Sequence, residues 1–241
     1  NASKFYKFTE EFLQKNIDTD WIILDFEPPW NLSTKVAFSK NITDFFSAIT
    51  QMKPPEHIYQ EGKNKIDELI YMVHSKGKKV LCVFIPFVVD DLEDGDQDIS
   101  KFFGIYVPPN CDEYSFMLYT TALESLSKKF NINVNYPEYF VYNYARDIYK
   151  IFGEKSSVDI GLVGDDLFGN KGYPSPDKLK RDISAGLAAE IKKFHIWTLD
   201  NMKTDGKWDV KKWLDIEELN PIIPQEDETV IRVRDIIKIL D

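Results

Sequence analysis

Only two cysteines occur among the 241 residues, too few for a disulfide framework in a chain of this length. Cys82 lies inside the apolar run Val80–Phe87 and is expected to be a buried free thiol, while Cys111 follows a Pro-Pro-Asn turn. No apolar run approaches the roughly 20 residues that a membrane-spanning helix needs. The opening Asn1-Ala2-Ser3-Lys4 carries no signal-peptide pattern. A basic stripe is also missing. Thirty Lys and Arg stand against forty Asp and Glu, a net charge of −10, which argues against a phosphate backbone as partner. The surplus acid is expected to serve solubility instead.

Several motifs are absent too. No Gly-x-Ser-x-Gly elbow is present, and the loop Gly164-Asp165-Asp166-Leu-Phe-Gly169-Asn-Lys-Gly172 lacks the endings of a phosphate or dinucleotide loop. His57, His74 and His195 are scattered, with no His-x-x-x-His or Cys-x-x-Cys, so neither a metal nor a cofactor is expected. Asp94, Asp96 and Asp98 alternate as in a calcium loop, but Ile99 stands where that loop needs glycine and Ile105 where it needs a bidentate Glu. These three acids are therefore read as a solvated acidic loop, within the acidic run Asp90–Asp98. Two glycosylation triplets, at Asn31 and Asn41, are of a kind that arises by chance.

What is present suits one globular α/β domain over 1–241, with 43% hydrophobic and 14% aromatic residues. Short apolar runs at Trp21–Phe26, Val80–Phe87, Tyr114–Tyr119, Val158–Val163 and His195–Leu199 read as strands buried on both faces. Ile105–Val107 and Val230–Val233 are candidates for short additional strands. Helical spacing fills the gaps: Ile66, Leu69, Ile70 and Val73; Tyr144, Ile148 and Ile151; and Ser175–Lys193, with Ser175 at the N-cap and Pro176 at the first helical position. Phe5, Phe8 and Phe12 suggest a helix before the first strand, and Val233–Leu240 a final one. Strands separated by helices imply a parallel sheet with right-handed crossovers, whose functional groups gather at the carboxyl ends of the strands.

Those ends carry chemistry. Asp25 and Glu27 stand at i and i+2, on one side of an extended segment. Close carboxylates repel, so one is held protonated beside an ionised partner, as glycosidic cleavage requires; two solvated acids on a loop edge are the plainer reading. Met117-Leu-Tyr119 ends the third strand. Trp197-Thr-Leu-Asp200 ends the fifth, where an indole facing a cleft would stack on a sugar ring and Asp200 would bond its hydroxyls. Asp165 and Asp166 are candidate ligand contacts in the loop after the fourth strand.

Together these residues resemble the chitinase-like glycoside hydrolases of family 18. That family's fourth strand carries Asp-x-x-Asp-x-Asp-x-Glu. Asp20-Trp-Ile-Ile23-Leu-Asp25-Phe-Glu27 matches the first and last two acids, with Ile23 in place of the second Asp. Met117-Leu-Tyr119 is similar to the family's Met-x-Tyr, and Trp197-Thr-Leu-Asp200 to its closing Trp segment. The resemblance implies a TIM-barrel-like fold. Glu27 would protonate the glycosidic oxygen, Asp25 would orient an acetamido nucleophile, Tyr119 would bond that group, and Trp197 would floor a sugar subsite. Trp30, after Pro28-Pro29, joins the expected substrate contacts.

Only Ser3–Asp20 precedes the first strand, where the family has three strand–helix units, and five strands are counted where eight close a barrel. The barrel is expected to be open or incomplete. The expected function is action on a glycan, with N-acetylated sugars as candidates. The rivals are a non-catalytic carbohydrate-binding or protein-interaction domain and, at lower weight, a cation site built from the acids. The expected partner is a carbohydrate or other small polar ligand. The compartment would be extracellular or cell-surface under the resemblance, and cytoplasmic otherwise.

Overall fold

A computed structural model describes residues 2–15, 18–28, 34–35, 38–40, 44, 47–48, 51, 53–161, 172–197, 202–204, 206–216 and 219–238. Helix α1 (Ala2–Gln14) leads into β1 (Trp21–Phe26), α2 (Glu56–Ser75) and β2 (Lys79–Phe84). Helices α3 (Val88–Asp94) and α4 (Asp98–Phe102) precede β3 (Glu113–Met117). Then come α5 (Thr120–Lys129), α6 (Glu138–Phe152), β4 (Ser156–Gly161), α7 (Pro176–Ala188) and β5 (Phe194–Trp197). A short hairpin, β6 (Lys203–Thr204) with β7 (Lys207–Trp208), is followed by α8 (Val210–Trp213) and α9 (Glu228–Lys238).

Strands β1 to β5 form one parallel sheet in sequence order, curled into a half-barrel with the helices between them. Sequential order with crossovers of one hand puts every crossover helix on the same side of the sheet. The side chains divide accordingly, because neighbours along a strand point to opposite faces. Leu24, Val80, Cys82, Phe84, Tyr114, Phe116, Val158 and Ile160 join the main core with Leu69, Val73, Tyr144, Ile148, Leu179 and Ile183 of the helices. The opposite, inner face holds only a small apolar cluster, Leu81, Val83 and Met117, with Ile85 and Tyr119 packed against it.

The expectation of strands buried on both faces therefore fails for β1. Trp21, Ile23 and Asp25 alternate with buried Ile22 and Leu24 and are exposed, Ile23 at 60%. Among the described residues no strand pairs with the outer edge of β1 or of β5. The two extra candidate strands are corrected as well. Ile105–Val107 is irregular, though buried, and Val230–Val233 lies inside α9.

The free thiol is a third correction. Cys82 and Cys111 form a disulfide, with Cα atoms 6.2 Å apart across a sequence separation of 29. Cys82 faces the helix layer beside Tyr114 in register, where the turn before β3 brings Cys111 to it. In the acidic stretch Asp96 and Asp98 are exposed, whereas Asp90 and Asp91 ahead of them are buried. Asp91 accepts the Ile99 and Ser100 backbone N–H groups at 2.9 and 2.8 Å, satisfying the exposed donors at the start of α4. Helix α1 forms where the three phenylalanines suggest, but it buries Thr9 and Leu13, and Phe8 is left 65% exposed. Helix α7 begins at Pro176 as expected and ends at Ala188, five residues before Lys193; Ser175 holds the cap position without a side-chain bond.

Candidate functional site

The inner face of a half-barrel is fed by alternate residues of each strand, and the register shows which ones share a row. Asp25, Val83, Ser115 and Ser157 lie side by side across β1 to β4. Met117, Asp159 and His195 lie side by side across β3 to β5, and Gly161 pairs with Trp197. Glu27 follows Asp25 by two residues and Tyr119 follows Met117 by two, so both continue the inner face toward the carboxyl ends. Neighbouring strands are about 4.8 Å apart, so the acids of β1 and β4 approach each other only because the sheet curls.

They do approach. The Tyr119 phenol is pushed far above its ordinary pKa, first by burial and then by the charges of Asp159, Asp25 and Glu27. One hydroxyl therefore lies within electrostatic reach of three carboxyls from two strands. Asp25 and Glu27 are both exposed residues. Burial raises the pKa of both, and Asp25 raises Glu27 further. The arrangement favours a protonated acid on one member of the pair.

Behind them lies a polar layer that the strand-end reading did not single out. Asp159 is buried, and burial lifts it to about 6 although His195 and Ser115 favour its anion; Asp25 and Glu113 add to the rise. The Ser115 hydroxyl is fully buried and makes no hydrogen bond of ordinary geometry with any described residue. Glu113 meets His195 Nε2 at 3.0 Å and Lys193 Nζ at 3.1 Å. Against the cost of burial, hydrogen bonds from His195, Ser157 and Lys193 hold Glu113 at about 2. The His195 imidazole is raised in turn, foremost by its bond to Glu113. The sequence did carry a signal: Glu113 and Ser115, Ser157 and Asp159, and His195 and Trp197 each sit at i and i+2 within or beside apolar runs, and a period of two is what lines one face of a strand.

Trp197 is 61% exposed on this same face, so its indole is not core. The strand seats it tightly: a Cβ placed on Gly161 would lie 2.5 Å from the Trp197 carbonyl oxygen. Gly161 O also accepts the Thr121 hydroxyl at 2.9 Å. Gly161→Ala is expected to destabilise the fold by about 1–3 kcal/mol through backbone displacement. Urea unfolding checks this, and a change below about 0.5 kcal/mol would contradict the tight seating.

The strand end bearing Tyr119 is anchored from beneath. Thr120 and Tyr173 both donate hydroxyl hydrogen bonds to Asp182 Oδ2 in α7, the second at 2.7 Å. Asp182 is fully buried, and burial raises it to about 7 despite those donors. Tyr173 thereby ties the chain that follows residues 162–171 to the turn after β3.

Of the residues expected at the site, Asp25, Glu27, Tyr119 and Trp197 share the inner face. Trp30, Asp165, Asp166 and Asp200 lie outside the described residues, as do Asn31 and Asn41. Among the described residues no three His, Cys, Asp or Glu side chains are grouped to hold a metal ion.

No protein-family model matches the sequence, and no curated protein matches it. Among solved structures the chain is similar to the PgaB (BpsB) glycoside hydrolase domain from Bordetella bronchiseptica, with 13% identity and a TM-score of 0.44. The match covers 76% of this chain and 53% of that one, so the chain spans about half the length of the structure it resembles.

Proposed function

We propose that the inner face of the half-barrel binds a glycan and acts on it as a glycoside-hydrolase-like site. Glu27 serves as general acid, Asp25 as its charged partner and Tyr119 as a hydrogen-bonding group. The observation that carries this reading is the meeting of Asp25, Glu27 and Tyr119 in one electrostatic neighbourhood under open strand ends. A general acid needs a carboxyl that holds its proton more tightly than usual, and Glu27 is raised by burial and then by the Asp25 charge. Trp197 presents an exposed indole on the same face, suited to the apolar side of a pyranose. With an N-acetylated sugar, the substrate's own acetamido group would be the nucleophile and Asp25 would orient it, so a second nucleophilic carboxyl is unnecessary.

One observation favours a second reading, a carbohydrate-binding domain without turnover. Ile23 lies exposed on the inner face, at the place where the family it resembles carries an acid. Substitution separates the two. Glu27→Gln is expected to lower cleavage of an aryl glycoside a hundredfold or more while glycan affinity stays within about twofold, because only the transferable proton is lost. A wild-type protein that cleaves none of an array of aryl glycosides but binds glycans would leave the binding reading standing. The buried disulfide suits an oxidising compartment, in keeping with an extracellular or cell-surface setting. No described helix is long and apolar enough to cross a membrane.

A further inference from the structure

The paired register of β3 and β4 ends at Met117 and Asp159, two residues short of Tyr119 and Gly161. Where the ladder stops, side chains take over. Thr120, the first helical residue of α5, directly follows Tyr119. Its hydroxyl donates to Asp182 Oδ2 in α7, and the Tyr173 hydroxyl donates to the same oxygen at 2.7 Å. The Tyr173 phenol is held in turn by a backbone hydrogen bond from Gly161, the last residue of β4. Gly161 O accepts the Thr121 hydroxyl at 2.9 Å, which closes the circuit. One ring of bonds thus runs from the end of β3 through Asp182 and Tyr173 to the end of β4, and back through Thr121. Asp182 is fully buried in it, and among the described residues it makes no ion pair. Lys178, one turn earlier, pairs with Glu124 of α5 and reaches Asp182 only through its charge. A carboxyl buried without a paired cation is costly, and an amide or hydroxyl could fill the space. The charge therefore calls for a reason of its own.

We propose that Asp182 is a positioning residue for the site, whose carboxylate fixes the turn carrying Tyr119 from the helix layer and grips it more firmly ionised than protonated. The inference rests on the reading of Tyr119 as a glycan contact, and Asp182 acts through that phenol. A hydrogen bond to an ionised acceptor is roughly twice as strong as one to a neutral acceptor. Both donors converge on Oδ2, so a proton added to Asp182 takes Oδ1 and leaves Oδ2 a neutral carbonyl. The two hydroxyls are then held less tightly, and the Tyr119 turn loosens. Burial raises Asp182 to about 7, which puts the change near neutral pH. Lys178 of its own helix opposes that rise, Glu138 of α6 adds to it, and the bonds from Thr120 and Tyr173 favour the anion.

The test follows the Tyr119 ring carbons by NMR across neutral pH, in the full chain, for wild type, Asp182→Asn and Tyr173→Phe. In wild type the Tyr119 signal is expected to step with a midpoint near 7 as Asp182 titrates. A separate step near 6 belongs to Asp159, whose charge also reaches the phenol. Asparagine keeps an oxygen for both hydroxyls but never ionises. In Asp182→Asn the upper step therefore vanishes, the lower one stays, and the signal rests at the loosened limit. Tyr173→Phe removes one donor from the anion, so the upper step survives at a higher midpoint. A merely structural anchor would lower stability without either change. A Tyr119 signal that lacks the step near 7, or keeps it in Asp182→Asn, overturns the proposal. Should Asp182→Asn fail to fold, Tyr173→Phe decides by whether the midpoint rises. Where an aryl glycoside is cleaved, kcat/KM of Asp182→Asn is expected to match wild type below the midpoint and fall roughly fivefold behind above it. A ratio independent of pH rejects the role. The ring signal is read without substrate, so absence of hydrolysis defeats the enzyme reading alone, and an indifferent ring defeats the positioning role alone.

Discussion

Arg234→Met is expected to lower the unfolding free energy by about 3–5 kcal/mol, and the melting temperature by roughly 10 °C. Arg234 belongs to α9 and is buried among acids from two other helices. Its Nε donates to Asp90 Oδ1 at 2.7 Å, and its Nη1 donates to Asp147 Oδ2 and Asn143 Oδ1 at 2.6 Å each. The guanidinium lies over the Tyr144 ring at 4.2 Å, and the Tyr144 hydroxyl donates to Asp90 at 3.0 Å. The cluster thus joins α3, α6 and α9. Methionine retains most of the apolar packing on Tyr144 but leaves, among the described residues, buried Asp90 with only Lys238 at 4.0 Å, and buried Asp147 with only the exposed Arg146 at 3.2 Å. Burial already raises Asp90 even with Arg234 beside it, so without the arginine its folded-state pKa climbs further above the unfolded one. A carboxyl raised on folding favours the folded state while protonated and loses that advantage as pH rises through its range. The deficit of the variant is therefore expected to be larger at pH 8 than at pH 5. Denaturant unfolding at the two pH values measures it, and a deficit independent of pH would mean that the acids are not left charged. Adding Asp90→Asn and Asp147→Asn to Arg234→Met should restore much of the loss, because the uncompensated charges go with it.

Loss of the Cys82–Cys111 bond is expected to cost about 3.6 kcal/mol, the loop-closure entropy of a cross-link spanning some 30 residues. The bond pins the middle of β2 to the turn that launches β3, two neighbouring strands whose inner-face residues include Val83, Glu113 and Ser115. Because both sulfurs are fully buried, reductant reaches them slowly in the folded protein. A Cys82→Ala/Cys111→Ala variant is therefore the better comparison. Equal urea midpoints for that variant and the oxidised protein would refute the stabilising role.

The elements that were legible beforehand are those whose signal is local. Five apolar runs bounded by Pro, Gly and polar turns became the five strands of the sheet. The Ile66–Val73 stripe and the Pro176 start became α2 and α7, because hydrophobic period and capping chemistry are written within a dozen residues. Asp25, Glu27 and Tyr119 were legible for the same reason, as polar groups closing apolar strands. For Trp197 the sequence left core and cleft-facing readings side by side, and the structure exposes it on the inner face.

What escaped the sequence depends on partners far along the chain. Cys82 reads as an ordinary core thiol until the turn before β3 brings Cys111 within 6.2 Å. Asp90 and Asp91 give no local sign of burial until α9 and α4 supply a guanidinium and helix N–H groups, at separations of 144 and 8 residues. Asp159 and His195 become neighbours only because β4 and β5 pair in parallel, a contact between strands separated by a whole crossover helix.

By itself the sequence determined the α/β class, the order and direction of the strands, and which residues stand at their carboxyl ends, since periodicity and turn chemistry act over short range. The count of five strands already pointed to an open or incomplete barrel; tertiary structure alone decided that β1 is exposed on one face. It also decided that the acids of β1 meet Tyr119, and that their protonation is governed by burial and mutual repulsion. Those are properties of distance and dielectric, which no spacing along a chain contains.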